Sequence, residues 1–323
     1  MGSKKAKPKV AVVGTGAVGG YFGGMLLRAG VPVLMIGRSP FVEAFKRSGL
    51  CLDTTQFKET VHPEVSTELS SVAGSDIVLF CVKTTDSTEV AKRLAPHLCP
   101  DAAVVSLQNG VNNVEEIRNA SGIDAVAAVV YVAASVPRPA VIQHGGRGDL
   151  VIGPPGPRTE RIVELFASAN VLCRVSENIE AELWTKFIWN CAFNAISGLG
   201  LVTYDQIAQD DEARKVVEAA VYETLAVAHA KGIRPARFDD PAKTIAAAFH
   251  VTEWMVGTRS STAQDMARGK RTEIDALNGY VAKLGTEFGV PTPVNQTLYS
   301  LVKLQEIGFG EPRQQRTTRA GGP

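Results

Sequence analysis

Apolar positions along this chain keep two different rhythms. Up to about residue 177 they come in short unbroken runs: Lys9 to Val13, Val31 to Ile36, Asp76 to Val82, Ala103 to Leu107 and Ala125 to Ala134. Their length and β-branched content are those of buried strands. Leu50 to Asp53 and Phe57 to Val61 read as a hairpin around Thr54-Thr55-Gln56. Ala140 to His144, Asp149 to Ile152 and Val171 to Val175 add three more strands, with a helix over Thr159 to Ala169 after the break at Gly153-Pro154-Pro155-Gly156-Pro157. Strands first alternate with helices and then run in series. That order predicts a doubly wound parallel sheet with a partly antiparallel edge.

From Asn178 the strand signals stop and helical periodicity takes over. The first helix runs to about Ile196, where Ser197-Gly198-Leu199-Gly200 is expected to end it. Asp211 to Lys231 follows, capped by Gly232. Helical pieces at Phe249 to Gly257 and Thr262 to Arg268 come next, then Thr272 to Phe288 and Asn295 to Ile307. The expected organisation is a disordered tail over 1–8, a sheet domain over 9–177, an all-α domain over 178–310 and a disordered basic tail over 311–323.

Within the opening helix, Lys186, Asn190 and Asn194 recur at i, i+4 and i+8 and share one face. A lysine and two carboxamides on an otherwise apolar helix are costly unless something polar meets them. Either they belong to a satisfied structural network or they wall an active site, and the helix alone leaves both open.

Gly14-Thr15-Gly16-Ala17-Val18-Gly19 follows the first strand and opens a helix. In that context the glycines suit a tight turn, close approach of backbone to a pyrophosphate, and close helix–strand packing. The alternative is a purely structural turn. At the end of the second strand Arg38 stands where an NAD-selective site carries Asp or Glu, and a guanidinium suits a 2′-phosphate. This predicts NADP(H). Lys83 and Asn109 lie at the carboxyl ends of two further buried strands, the edge at which open parallel sheets bind ligands, although either could simply face solvent.

Composition narrows the field. The 323 residues carry a formal net charge of +1, which gives no global field for nucleic acid. The longest apolar run, Ala125 to Val136, is too short to span a bilayer, and the N-terminus lacks the apolar segment of a secretory signal. Five cysteines without a CxxC pair suggest reduced thiols and a cytoplasmic protein. The five histidines show no metal-ligand spacing, so no metal is expected. Glu273 and Asp265, taken alone, read as helix-surface carboxylates, and Ser260 or Ser261 as a cap.

Together, Gly14 to Gly19, Cys81-Val82-Lys83, Gln108-Asn109-Gly110, Trp184-Thr185-Lys186-Phe187-Ile188-Trp189-Asn190, Ser260-Ser261-Thr262-Ala263-Gln264-Asp265 and Thr272-Glu273-Ile274-Asp275-Ala276-Leu277-Asn278-Gly279 resemble the 2-dehydropantoate 2-reductase (ketopantoate reductase) family. The resemblance runs from Lys9 to about Leu304. It implies a Rossmann-type α/β domain followed by an all-α C-terminal domain, and NADPH-dependent reduction of a 2-oxo acid. It implies catalytic roles for Lys186 and Glu273, and a substrate pocket lined by Asn109, Asn190, Asn194, Ser261 and Asp265. Gly14, Thr15, Gly16, Ala17, Val18, Gly19, Arg38, Lys83, Asn109 and Glu273 would contact the cofactor. Thr262 and Ala263 stand where the family commonly carries Met, and Arg259 adds a cation, so the particular 2-oxo acid stays open. The competing readings are the same chemistry on another ketone and a non-catalytic NADP(H) sensor. The only partner implied is the small-molecule substrate, with a homodimer left open and no role for membrane or nucleic acid.

Overall fold

The computed structural model describes residues 7–236, 240–253 and 255–310. Apart from Lys7 and Pro8, the two expected tails lie outside the described residues. The chain divides into two compact units, one ending at Phe187 and the other beginning at Ile188.

The first unit is built on a ten-stranded sheet. Its central strands β1 (Val10–Val13), β2 (Val33–Ile36), β6 (Ile77–Phe80) and β7 (Ala103–Ser106) are all parallel, with β1 between β2 and β6. They are buried on both faces, as their unbroken apolar runs require. Val10 and Val12 of β1 pack into one core with Phe22, Leu26 and Phe166. Ala11 and Val13 pack on the opposite face with Phe80, Leu94 and Ile117. Helices α1 (Ala17–Arg28), α2 (Ser39–Ser48), α3 (Ser87–Leu94), α4 (Asn113–Ser121) and α5 (Pro157–Ala167) complete the unit with the short β5 (Glu64–Ser66) on the β2 edge.

Beyond β7 the sheet turns mixed. The hairpin of β3 (Leu50–Asp53) and β4 (Lys58–Val61) forms where the pattern placed it. The segments 140–144 and 149–152, expected as separate strands, are one strand, β9 (Val141–Gly153), antiparallel to β8 (Val126–Arg138). The register shifts between Tyr131 and Val132 and between Ala133 and Ala134, so bulges absorb the glycine-rich stretch and the ladder continues through it. β10 (Cys173–Val175) joins β9 in parallel.

The helix α6 (Ile179–Gly200) begins in the first unit and ends in the second. It runs through Ser197-Gly198, where the sequence predicted its end. The reason is packing: a Cβ on Gly198 would lie 2.7 Å from the Met266 sulfur and 2.9 Å from Thr262 Cγ2. This glycine therefore serves close helix contact, and α6 continues. The rest of the second unit is helical: α7 (Tyr204–Gln209), α8 (Asp211–Ala230), α9 (Pro241–Glu253), α10 (Ser261–Ala267), α11 (Asn278–Phe288) and α12 (Pro293–Ile307). α9 starts well before the expected Phe249. The single helix expected over 272–288 is instead a 3₁₀ turn, Ile274–Ala276, and then α11, broken at Leu277 (φ −114°, ψ −109°). Ile188, Ala192 and Phe193 of α6 pack with Val217, Val221 and Leu225 of α8, while Ala195 joins Met266, Leu298 and Val302.

Candidate active site

The first unit contributes a glycine turn. Gly14 takes φ +103°, and a Cβ there would lie 2.6 Å from the Cys81 carbonyl carbon, so the turn presses against the end of β6. Gly19 lies under the same turn, and its Cβ would meet Gly14 O at 2.0 Å. At Gly16 a Cβ would meet nothing within 4 Å. Two glycines are therefore demanded by packing, whereas the third leaves open space at the amino end of α1, where backbone N–H groups and the helix dipole favour an anion. Thr15 is buried, and the adjacent Gly37 packs directly on its side chain. Ala17 and Val18 form the first turn of α1. The turn fits a dinucleotide pyrophosphate on this evidence.

The neighbouring strands β2, β6 and β7 deliver the remaining residues of this edge. Arg38 follows β2 and precedes α2, with its guanidinium on Asp86 at 2.7 Å. Lys83 follows β6 and opens the 3₁₀ turn Thr84–Asp86. Asn109 follows β7, its carbonyl accepting from Asn113 Nδ2 at 2.7 Å.

Between the last two loops lies a residue that the motif contained and the sequence reading passed over. Gln108 is 6 % exposed. Its amide donates to Val82 O (2.9 Å) and Ser87 Oγ (2.5 Å), and its Oε1 accepts from Ser106 Oγ (2.8 Å). One carboxamide thus ties the loop carrying Lys83 to the strand end carrying Asn109. The sequence offered a signal, a polar residue directly after a buried strand, but not its partners.

Lys186 and Asn109, 77 positions apart, meet. Lys186 Nζ donates to Asn109 Oδ1 at 3.0 Å and to the Val130 carbonyl at 2.5 Å. A lysine only donates, so Asn109 must present its oxygen here. The ammonium is also 5.9 Å from the centroid of the Tyr131 ring. That ring carries the Arg147 guanidinium at 3.9 Å, and burial above all pushes its phenol up from its ordinary range. Neither Val130 nor Tyr131 was among the expected site residues. The acceptor at Val130 is main chain and has no signature in residue type.

The second unit holds the other expected residues. Asn190 is half-buried on α6. Asn194, 3 % exposed, accepts from the Tyr204 hydroxyl at 2.9 Å, while burial pushes that hydroxyl above its ordinary range and keeps it a donor. Ser260 is the buried N-cap of α10, accepting from Ala263 N at 3.0 Å and donating to Asn194 O at 3.1 Å. Ser261 begins that helix and is exposed, and Asp265 is half-buried on it. The two departures Thr262 and Ala263 are buried, whereas Arg259 is exposed. Glu273 is half-buried just before the 3₁₀ turn. Its neighbour Thr272 is buried, its backbone N and its hydroxyl both donating to Glu306 of α12 at 2.7 Å, which fixes the backbone that carries Glu273. Asn278 donates to the Cys191 carbonyl and to Asn295, each at 2.9 Å, tying α11 to α6 and α12.

Among the described residues no group of three or more His, Cys, Asp or Glu is placed to hold a metal ion, and no helix is long and apolar enough to cross a membrane. A doubly wound sheet with this glycine turn, followed by a helical unit, defines the class of two-part dinucleotide-fold oxidoreductases. Residues 10–157 match the family profile for ketopantoate reductase PanE/ApbA, and residues 178–306 match the profile for its C-terminal part. A 2-dehydropantoate 2-reductase of Pyrococcus abyssi is 33 % identical over 308 residues, covering 94 % of this chain and 99 % of the relative. The crystal structure of a PanE/ApbA family ketopantoate reductase from Ralstonia eutropha JMP134 is 42 % identical, with a TM-score of 0.88 over 94 % of this chain and all of that one. A D-mandelate dehydrogenase structure with NADH and anilino(oxo)acetate shares the fold, at 23 % identity and a TM-score of 0.86, covering 94 % of this chain and all of that one. The chain belongs to the ketopantoate reductase family, a family of oxidoreductases acting on the CH–OH/C=O couple.

Proposed function

We propose that this protein reduces a 2-oxo acid, ketopantoate foremost, to the 2-hydroxy acid at the expense of NADPH. The observation that carries the reading is the placement of Lys186 Nζ on Asn109 Oδ1 and the Val130 carbonyl. Two oxygens that only accept hold the side chain in one orientation. A ketone being reduced develops negative charge on oxygen. A positioned ammonium stabilises that charge and can supply the proton, an effect worth roughly 10²–10⁴-fold for general acid catalysis. The reduced nicotinamide, when bound, supplies the hydride. The glycine turn from Gly14 to Gly19 would hold its pyrophosphate, Arg38 its 2′-phosphate, and Lys83 and Asn109 lie on the same strand edge. Glu273 is assigned a part in the proton transfer. Asn190, Asn194, Ser261 and Asp265 are assigned to the substrate's carboxylate and hydroxyl groups.

The test is steady-state NADPH oxidation with ketopantoate beside a panel of other 2-oxo acids, repeated with Lys186→Ala. A dominant kcat/KM for ketopantoate and a kcat lowered by about 10²-fold or more are expected. Near-normal turnover of the variant removes Lys186 from the chemistry. A dominant rate on another acid keeps the chemistry and changes the substrate.

A further inference from the structure

Arg38 and Asp86 stand 48 positions apart, one after β2 and the other after β6. Those strands lie on either side of β1, and both end level with it: Val13 of β1 pairs with Ile36 and with Phe80. The glycine turn leaves β1 at this same level, bonded to β2 through Gly14 N and Ile36 O at 2.9 Å. The Arg38–Asp86 ion pair, at 2.7 Å, therefore spans the carboxyl edge of the sheet across the turn. It does little for stability. The two side chains are 82 % and 38 % exposed, and exposed pairs of this kind contribute little.

The chemistry of the pair is more informative than its strength. Dinucleotide folds read the adenosine ribose at this edge in two ways. A guanidinium takes a 2′-phosphate, and a carboxylate takes a free 2′-hydroxyl. Here the two readers are both present and bonded to each other. A 2′-phosphate approaching Arg38 must displace or sit beside a carboxylate of its own sign. A 2′-hydroxyl could donate to that carboxylate.

We propose that Asp86 is a second determinant of cofactor choice, opposing the 2′-phosphate that Arg38 attracts and accepting the 2′-hydroxyl of NADH. The protein then uses both cofactors, with a preference for NADPH narrower than Arg38 alone would set. This rests on the reading that the glycine turn binds a nicotinamide dinucleotide. The experiment is calorimetric titration of the wild type, Asp86→Asn and Asp86→Ala with NADPH and with NADH, in low and high salt, without substrate. Asp86→Asn removes the charge and should tighten NADPH by about fivefold, an effect that shrinks as salt screens it. Asp86→Ala should tighten NADPH similarly and weaken NADH, moving the ratio of the two dissociation constants further. An unchanged ratio in both variants, with binding intact, overturns the role of Asp86 alone. Absence of binding of either dinucleotide to the wild type overturns the underlying reading, and this proposal with it.

Discussion

Replacing Gly16 or Gly19 by alanine separates the two demands on the glycine turn. The substitutions add the same methyl group three positions apart. At Gly16 the new carbon meets nothing within 4 Å, and φ is −72°, a value any residue adopts. Alanine is a poorer N-cap than glycine by up to about 1 kcal/mol, and the loss of unfolded-state freedom returns about 0.4–1 kcal/mol. Folding stability should therefore hardly change. At Gly19 the new carbon would sit 2.0 Å from Gly14 O and 2.9 Å from Val12 Cγ1, atoms of the turn backbone and of the central strand. Neither can move freely, so overpacking of about 1–3 kcal/mol is expected. Ligand binding should reverse the order of the two effects. If the open space at Gly16 is where a pyrophosphate approaches backbone, the methyl occupies it, and a similar overpacking of about 1–3 kcal/mol raises the Kd for NADPH roughly 5- to 150-fold. Urea denaturation and NADPH fluorescence titration measure the two effects independently. Gly16→Ala with wild-type NADPH affinity would refute the assignment of that space to the cofactor. Gly19→Ala with wild-type stability would refute the packing account of the turn.

Two further outcomes follow from the polar contacts. Gln108→Leu leaves the buried Ser87 and Ser106 hydroxyls without their carboxamide and should cost about 2–4 kcal/mol by urea denaturation, whereas the triple variant with Ser87→Ala and Ser106→Ala should cost less than the single change, since it leaves fewer polar atoms stranded; an equal or larger loss in the triple variant would sink this account. Asp124 accepts from Arg158 of α5 and Arg118 of α4, which hold its carboxyl below the usual range. Its contribution is present at neutral pH and lost as the pH falls through that lowered value, so a small Tm difference between wild type and Asp124→Asn at about pH 7 should vanish in strong acid. A difference that grows in acid would contradict the sign.

The central sheet was legible because its strands are buried on both faces, and unbroken apolar runs such as Asp76 to Val82 have few other readings. The helical unit was legible in outline for the same reason of periodicity. What escaped depended on contacts distant in sequence. Gly198 looks like a stop signal until Met266 and Thr262 lie against it. The glycines at 145, 146 and 148 look like a strand end until β8 supplies a bulged ladder. Leu277 gives no sign of the break that divides 272–288. In the site, Lys186 and Asn109 were singled out by type and position, and they meet. Gln108 and Asp86 were overlooked because a buried carboxamide's partners, and an ion pair spanning 48 positions, cannot be read from local pattern.

The contact between Lys186 and the Val130 carbonyl has a consequence for how such a protein can diverge. Every residue type at position 130 carries the same carbonyl, so point substitutions there leave the lysine's acceptor in place. Insertion or deletion of a single residue in β8 does not: it moves the carbonyl along the strand and turns alternate side chains to the other face. The lysine's setting is thus tolerant of drift in spelling and intolerant of drift in length. At the two bulges just past this point, between Tyr131 and Val132 and between Ala133 and Ala134, the extra residues Gly148 and Gly145 belong to β9, so the irregularity of the ladder falls on the partner strand and β8 runs past the acceptor without a gap.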